Sequence, residues 1–311
     1  MLNFAQGSLN PTLTNYAKQL RQDRMSKLAD FIAPPVVVPT SSFQYKLYSD
    51  LNAFQAIDDT SLPPNGEPKQ IDFGVYGTTG NCAAQALEAR LTKPELDAIR
   101  LGAADPLQIQ QSKIATVLDT AMLSHEAYVY GKLAALTSSG SIQFSDPSVD
   151  PTTEVDRFIV TLAGQMGRLP NRAVCDLTSF QLWRDNPNTI KRHAYGVSQE
   201  GVTAGTLVGY TINPQLQLKV GVLSKNLAKP NAGEKRKNQF LGAGRLYLFF
   251  ANDAPDTADA SAFKTFMTGS SNIEGVISYT AANTLYEGHI VYWSRLTVQT
   301  SPYSIIALDI T

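Results

Sequence analysis

The hydrophobic positions of this chain follow two spacings, one typical of helices and one typical of strands. The clearest helical stretch starts at Asp105-Pro106, where a carboxylate can cap the first turn and proline suits the first helical position. Apolar residues then recur every three, four and seven positions, which predicts one helix over residues 106–136, about 45 Å long. The apolar positions are Leu107, Ile114, Val117, Leu118, Ala121, Met122, Val129, Leu133 and Leu136.

Two shorter helices are predicted on either side of this one. Residues 15–30 carry apolar side chains at roughly helical spacing, and the proline-rich sequence IAPPVVVPT that follows enforces an extended path. Residues 152–166 have a second apolar face, and Gly167 is a typical helix stop.

Alternating hydrophobicity predicts strands in the rest of the chain. Residues 43–92 read as a long two-stranded hairpin, with the turn-forming sequence DDTSLPPNGEPKQ at its tip. A hairpin of this length cannot bury its apolar face alone, so we expect it to lie on another part of the molecule or on a neighbour. Further strands are predicted at 206–212, 216–224, 245–250, 275–280, 289–300 and 303–310. The fold class is therefore α+β.

Composition narrows the classes of function. Of the 311 residues, 43% are hydrophobic and 17% are charged, and the charged share is below the usual quarter. A low surface charge suits a protein that is covered by copies of itself. The formal net charge is −1, so no overall field would draw the chain to DNA or to an acidic membrane. We expect no membrane span and no signal peptide, because no segment has the required apolar run.

The stretch RLPNRAVCDLTSFQLWRDNP, residues 168–187, looks at first like a catalytic strand-to-helix turn. Cys175 and the downstream His193 could act as nucleophile and base. Cys175 lies inside an apolar strand, however, where thiols usually behave as small hydrophobic groups, so a structural role is favoured. If the chain were an enzyme using Cys175, a Cys175→Ser substitution should abolish its activity and leave assembly intact.

Other candidate chemistry is weaker. His125-Glu126 lacks the second histidine of the HExxH zinc motif because position 129 is valine, and the two cysteines are far apart. Gly74, Gly77 and Gly80 resemble a phosphate loop only loosely and are better explained as part of a strand. We therefore predict no catalytic residue, no metal site and no cofactor.

Two basic segments leave an alternative open. Lys18, Arg21, Arg24 and Lys27 share one face of the first helix, and residues 225–245 contain the densest cluster of basic residues. For both basic segments we favour a solvated surface, and contact with nucleic acid is the alternative. The sequence does not decide whether Lys18, Arg21 and Arg24 face DNA.

The order of these elements resembles that of the major capsid proteins of tailed phages. The similar residues are Pro170, Asn171, 173–177, 180–183 and Asn186-Pro187, followed by the sequence FLGAGRLYLFF and the closing pair of strands. The resemblance implies the Johnson fold with five parts. These are an N-terminal arm (1–40), an extended loop (41–97), a peripheral domain containing the spine helix (98–163), an axial domain (164–285), and C-terminal strands that return to the peripheral domain (286–311).

The same resemblance implies a function. The chain would assemble as pentamers and hexamers into an icosahedral shell around double-stranded DNA, held by non-specific contacts, and would be found in the virion after synthesis in the host cytoplasm. Separate scaffolding, portal and decoration proteins are further partners in this family. Some relatives cross-link their shells through lysine and asparagine, but nothing marks a partner for Lys46 or Lys69, so no cross-link is predicted.

Two alternatives remain open at this point: a compartment shell that encloses protein cargo, as in encapsulins, and a soluble enzyme using Cys175. For the shell hypotheses, the sequence predicts that deleting residues 1–40 blocks assembly and leaves a folded core.

Overall fold

The long helix predicted over residues 106–136 is present, and two β-sheets pack along its length. The computed structural model describes residues 7–23, 28–48, 61, 75–103, 105–194, 202–222, 224–226, 238–240, 244–254, 259–269, 273–280 and 286–311. The helices in this part of the chain are α1 (Pro11–Asp23), α2 (Ala29–Ile32), α3 (Lys93–Arg100), α4 (Pro106–Ala134), α5 (Pro151–Met166), α6 (Leu177–Asp185), α7 (Pro187–Ala194) and α8 (Ala204–Gly209).

The strands fall into two large sheets and two small hairpins. They are β1 (Ser8–Leu9), β2 (Pro35–Val38), β3 (Ser42–Tyr48), β4 (Val75–Asn81), β5 (Ala83–Leu91), β6 (Gly140–Ile142), β7 (Arg172–Asp176), β8 (Gln217–Gly221), β9 (Ser224–Asn226), β10 (Asn238–Phe240), β11 (Arg245–Phe249), β12 (Phe263–Thr268), β13 (Gly275–Thr280), β14 (Glu287–Gln299) and β15 (Ile305–Ile310). The α+β class is confirmed.

A six-stranded sheet is built around β14, the longest strand. Its order is β1-β13-β14-β12-β2, and β5 also pairs with β14. The β5 pairing is antiparallel and unbroken from Ala83 opposite Arg295 to Leu91 opposite Glu287. The second sheet has five strands in the order β6-β15-β11-β7-β8.

Helix α4 packs on both sheets and so joins them. Asp105 accepts a hydrogen bond from the Leu107 amide at its start, as the sequence predicted. Its first half buries apolar side chains against β5, β13 and β14, and its second half packs against β7, β11 and β15. At its end, Arg245 donates to the carbonyl oxygens of Ala134 and Leu136 and pairs with Asp309.

The five-stranded sheet is buried on both faces, which explains its near-continuous apolar strands. One face, with Ala173, Cys175 and Leu248, packs against α5, α6 and α8. The opposite face, with Val174 and Tyr247, packs against α2 and the second half of α4. Helix α5 ends at Gly167 with φ of +66°, a left-handed conformation that favours glycine, as predicted.

Residues 8–23 and 28–38 pack on their own chain, which argues against the expectation that a core lacking residues 1–40 stays folded. The segment does not form the single helix predicted at 15–30; it forms α1 and α2, which are separated in sequence. Strand β1 pairs with β13, and β2 pairs in parallel with β12. Leu13 and Phe31 are nearly fully buried. A core lacking residues 1–40 would lose these contacts, so we no longer expect it to fold.

The predicted hairpin is present at its base, where β3 and β4 pair in register from Ser42 opposite Asn81 to Tyr48 opposite Val75. Phe43 and Tyr45 pack on Phe266 of the six-stranded sheet, with ring centroids 4.6 and 5.2 Å away. Its expected tip, including Lys69, Ile71, Phe73 and Gly74, lies outside the described residues. Beyond Cys82 the chain continues as β5, so the described part of the excursion predicted over 43–92 contains three strands, of which the third belongs to the large sheet.

Other sequence predictions were wrong. Residues 206–212 were assigned to a strand, but Ala204–Gly209 is a helix because Thr203 and Thr206 form a reciprocal capping box. The elements α3, α7 and β12 were missed. Of the closing strands, β14 belongs to the six-stranded sheet, with β12 and β13, and β15 belongs to the five-stranded sheet. The division of the chain into arm, extended loop, peripheral domain and axial domain stays a prediction.

Two glycines of β4 provide a matched test of the hairpin base. A Cβ at Gly80 would lie 2.7 Å from the Phe43 ring, whereas a Cβ at Gly77 would meet nothing within 4 Å. We expect Gly80→Ala to lower the free energy of unfolding by about 1–3 kcal/mol through overpacking, and Gly77→Ala to leave it unchanged or slightly raised. Urea unfolding of both variants measures this; equal effects would contradict the packing described.

Candidate functional site

The stretch at 168–187 forms β7 and α6, and its polar residues bind backbone. Asn171 donates to the Ala251 carbonyl at 2.6 Å and accepts from the Ala251 amide at 2.9 Å. Asn186 donates to the carbonyls of Phe144 and Asp146, both at 3.0 Å. Trp183 is 1% exposed and packs on Phe144. These asparagines hold loops in place, as predicted, although Leu182, expected in the same core, is 38% exposed.

Asp176 makes the turn from strand to helix. Its carboxylate accepts hydrogen bonds from the Thr178 amide, from the hydroxyls of Thr178 and Ser179, and from the Gly244 amide. The residue is fully buried, and these donors satisfy its charge. The acid therefore caps α6 and ties it to the residue before β11.

Cys175 has the surroundings of a core residue. It is 1% exposed in the apolar cluster between the five-stranded sheet and α5. Burial, followed by the neighbouring Asp176 charge, raises the pKa of the Cys175 thiol far above its usual range. Because the thiolate is the nucleophilic form, both burial and pKa oppose reactivity. His193 lies on α7, where its ring contacts Tyr210 edge-on with centroids 4.6 Å apart, and burial lowers its pKa.

This burial sharpens the test of the enzyme hypothesis. Cys175→Ser would place a hydroxyl in an apolar cluster, and we expect it to reduce stability by about 1–3 kcal/mol. Cys175→Ala removes the sulfur without adding a polar atom, and should cost less. Thermal unfolding of the two variants compares them. If both variants remained fully folded but lacked an activity of the unaltered chain, the structural role of Cys175 would be contradicted.

The remaining candidates do not form a reactive cluster. His125 is buried on α4, and the neighbouring Glu126 carboxylate accepts from the Leu28 amide. Among the described residues, no three or more histidine, cysteine, aspartate or glutamate side chains are placed to hold a metal ion. Gly77 and Gly80 lie in a paired strand. No described helix combines the length and apolarity needed to cross a membrane.

The basic segments are only partly described. Lys18 is half-buried on α1, while the side chains of Arg21 and Arg24 and position 27 lie outside the described part. Within residues 225–245, most of the basic positions, including Lys235, Arg236 and Lys237, are likewise outside it. The DNA-contact alternative for these segments stays a prediction.

The whole-chain architecture can be compared with known proteins. No family model matches the chain, and no curated protein matches its sequence. A phage-related protein of Bordetella bronchiseptica RB50 superposes with a TM-score of 0.73, 19% identity and 97% coverage of both chains. A putative capsid protein of a prophage in Escherichia coli CFT073 gives 0.56 at 11% identity, covering 99% of this chain and 100% of the other.

The chain has the Johnson fold. The predicted resemblance to tailed-phage capsid proteins is thereby confirmed at the level of fold. The SrpI encapsulin of Synechococcus elongatus PCC 7942 has a similar structure, with a TM-score of 0.51 at 10% identity over 92% of this chain and 87% of that one. A putative prophage capsid protein and an encapsulin therefore share this architecture.

This Johnson-fold chain exposes many large apolar side chains on elements that are otherwise well packed. The most exposed lie on β1 and β2, on α4, α5 and α7, and in connecting segments: Leu9, Val37, Leu107, Leu123, Tyr128, Val160, Ile190, Leu101, Leu169, Tyr210, Ile212 and Val222. Single exposed apolar residues are common in monomers.

A groove of about 540 Å³ lies between β5 and the first half of α4. On the strand side it is lined by residues 87–90, and on the helix side by Ser112, Lys113, Thr116, Val117 and Thr120. Its cations are paired, Arg90 with Glu88 at 2.8 Å and Lys113 with Glu95 at 2.7 Å. The groove is thus close to neutral, which does not suit a site for a strongly charged small ligand.

Proposed function

We propose that this chain is a shell protein that self-assembles as pentamers and hexamers into an icosahedral capsid enclosing double-stranded DNA. The observation that carries the proposal is the Johnson fold over essentially the entire chain, together with the likeness to a putative prophage capsid protein. The chain would act by binding copies of itself, without catalysis or cofactor. It would be made in the host cytoplasm and reside in the virion capsid.

Each structural unit has a role in this proposal. The six-stranded sheet and α4 would form the peripheral domain, and the five-stranded sheet with α5, α6 and α8 would form most of the axial domain, directed toward the centre of a capsomer. The β3–β4 hairpin would extend onto a neighbouring subunit. Heterologous contacts of this kind close into rings when each contact rotates the next subunit by a fixed angle.

The partners beyond the chain itself follow from the same proposal. Packaged DNA would be held by non-specific contacts, since the net charge of −1 provides no strong attraction. Scaffolding, portal and decoration proteins would be separate chains.

A protein-filled compartment is the second candidate, because the likeness to SrpI encapsulin is nearly as good as that to the prophage protein. The contents of the particles distinguish a DNA-filled capsid from a protein-filled compartment. Particles purified from the source cells should be treated with nuclease and then opened, and their DNA and protein analysed. The capsid proposal predicts nuclease-resistant DNA of uniform length. Particles without such DNA but with a second protein in constant ratio would establish the compartment instead.

A further inference from the structure

Strand β5 is an edge strand whose outer side has no partner among the described residues. It pairs with β14 along one side over all nine residues, and within the described residues its backbone makes no hydrogen bond on the other side. In such a strand every second residue directs its N–H and C=O groups outward. In the second half of the strand Glu88 and Arg90 are exposed and Leu87 and Ala89 are half-buried, so the outward groups there can be reached by another chain.

The β5 edge lacks four features that often prevent edge-to-edge pairing, namely short length, proline, lysine and bulges, and its two charged residues are Glu88 and Arg90. The strand is the longest edge strand in the described sheets; β1, β2, β6 and β8 have two to five residues. It contains neither proline nor lysine, and its register with β14 has no bulge. Such an edge suits addition of a further strand.

We propose that β5 pairs antiparallel with β5 of a second copy across a two-fold axis, an inference that rests on the proposed self-assembly. The opposite charges of Glu88 and Arg90 favour a second copy of β5 as the added strand, and they determine which residues face each other. An antiparallel pair centred on Ala89 joins residues 87–91 of the two copies, since β5 ends at Leu91. It places Glu88 opposite Arg90 of the second copy, and Arg90 opposite its Glu88. Both side chains lie together on one face of the strand, where they already pair at 2.8 and 2.9 Å. Opposite charges on facing strands stabilise a pair, whereas like charges oppose it.

The groove beside β5 leaves room for this contact. Its helix side presents Ser112, Thr116 and Thr120, one turn apart. The hydroxyls of Thr116 and Thr120 donate to carbonyls four residues earlier in α4, at 3.1 and 2.9 Å. Because these donors are satisfied within the helix, covering them costs little hydration. The small side chains let the second copy's sheet and helix approach closely.

The register can be tested by one cysteine. Ala89 would face its own counterpart, with Cα atoms about 4.5–5.5 Å apart, inside the range of about 4.4–6.8 Å for disulfides. The full chain carrying Ala89→Cys should therefore form a covalent dimer, at twice 33.8 kDa, when assembled particles are oxidised and run on a non-reducing gel. Ala84→Cys is the matched control, since the same register places it opposite position 94. The native Cys82 and Cys175 are buried.

A charge exchange tests the contact without a new bond. Glu88→Arg alone should shift sedimentation toward smaller species, because it places like charges opposite each other. Glu88→Arg combined with Arg90→Glu should restore assembly, since complementarity returns in reversed order. Arg157→Glu, at the exposed Glu154–Arg157 pair on α5, should leave assembly unchanged.

The results separate this contact from the proposed function. Particles that form normally but give no Ala89→Cys dimer, or equal cross-linking from Ala84→Cys, would overturn the β5 contact and leave the shell proposal intact. Folded Glu88→Arg protein should fail to assemble, and the double exchange should restore assembly. If the double exchange does not restore it, the charge register is wrong. Absence of any particle from the unaltered chain would count against the shell proposal and, with it, this contact.

Discussion

Removing residues 1–40 is expected to leave no cooperatively folded protein. The segment contributes buried side chains to three apolar clusters, and strands β1 and β2 to the six-stranded sheet. The Thr14 hydroxyl also accepts from the Val276 amide at 3.1 Å. Truncating one buried phenylalanine costs about 3–5 kcal/mol, while a whole domain is stable by only about 5–15 kcal/mol. Loss of Phe31, Leu13 and Ile32 together should exceed that margin.

The measurement is thermal unfolding followed by circular dichroism, with two point variants as a matched control. Val36 is 1% exposed and Val37 is 49% exposed in the same strand. Val36→Ala should cost about 2 kcal/mol for the two carbon atoms removed from the core, and Val37→Ala less than about 0.5 kcal/mol. A truncated protein with an unchanged unfolding transition would show that the segment is a dispensable arm.

Substitution of Lys264 by methionine is expected to destabilise the chain by about 3–5 kcal/mol, because it leaves a buried charge without its partner. Lys264 is 1% exposed on β12. Its ammonium donates to the carbonyls of Asn252 and Ala254, at 2.7 and 3.1 Å, and lies 2.6 Å from the Asp259 carboxylate. The ammonium therefore holds together the loop between β11 and β12.

A double-mutant cycle measured by urea unfolding tests whether loss of the Lys264–Asp259 ion pair causes this destabilisation. Asp259→Leu should be costly alone, and the pair of substitutions should cost clearly less than the sum, since residues in contact are not additive. The exposed Arg100–Asp97 pair is the control, and Arg100→Met should change stability by only about 0–1 kcal/mol. Additive effects at Lys264 and Asp259 would argue that packing, rather than the ion pair, sets the cost.

The sequence predicted the elements whose signals are local. Asp105, Pro106 and an unbroken apolar stripe defined α4 to within two residues of its end, and Gly167 marked the end of α5. Alternation at 275–280 and 289–300 located β13 and β14. Where capping by Thr203 and Thr206 competed with an apolar run, the strand prediction failed.

The arrangement of these elements depended on long-range contacts that carry no local signal. Nothing in the sequence of β5 shows that it leaves the hairpin for the large sheet, since AAQALEARL has little β-branched or aromatic character. Strand β12 was missed because Lys264 interrupts its apolar pattern, and the lysine is satisfied by carbonyls and a carboxylate of the preceding loop. The candidate interface on β5 was missed for the same reason, because an edge is a property of the sheet.

Whether this Johnson-fold chain forms shells by binding itself can be read from the mass of the purified full chain. Sedimentation velocity together with negative-stain microscopy gives that mass and the particle shape. We expect closed shells in the megadalton range, or rings with five or six times the 33.8 kDa of one chain. A stable monomer of 33.8 kDa that persists at high protein concentration and in the presence of a crowding agent would contradict this expectation.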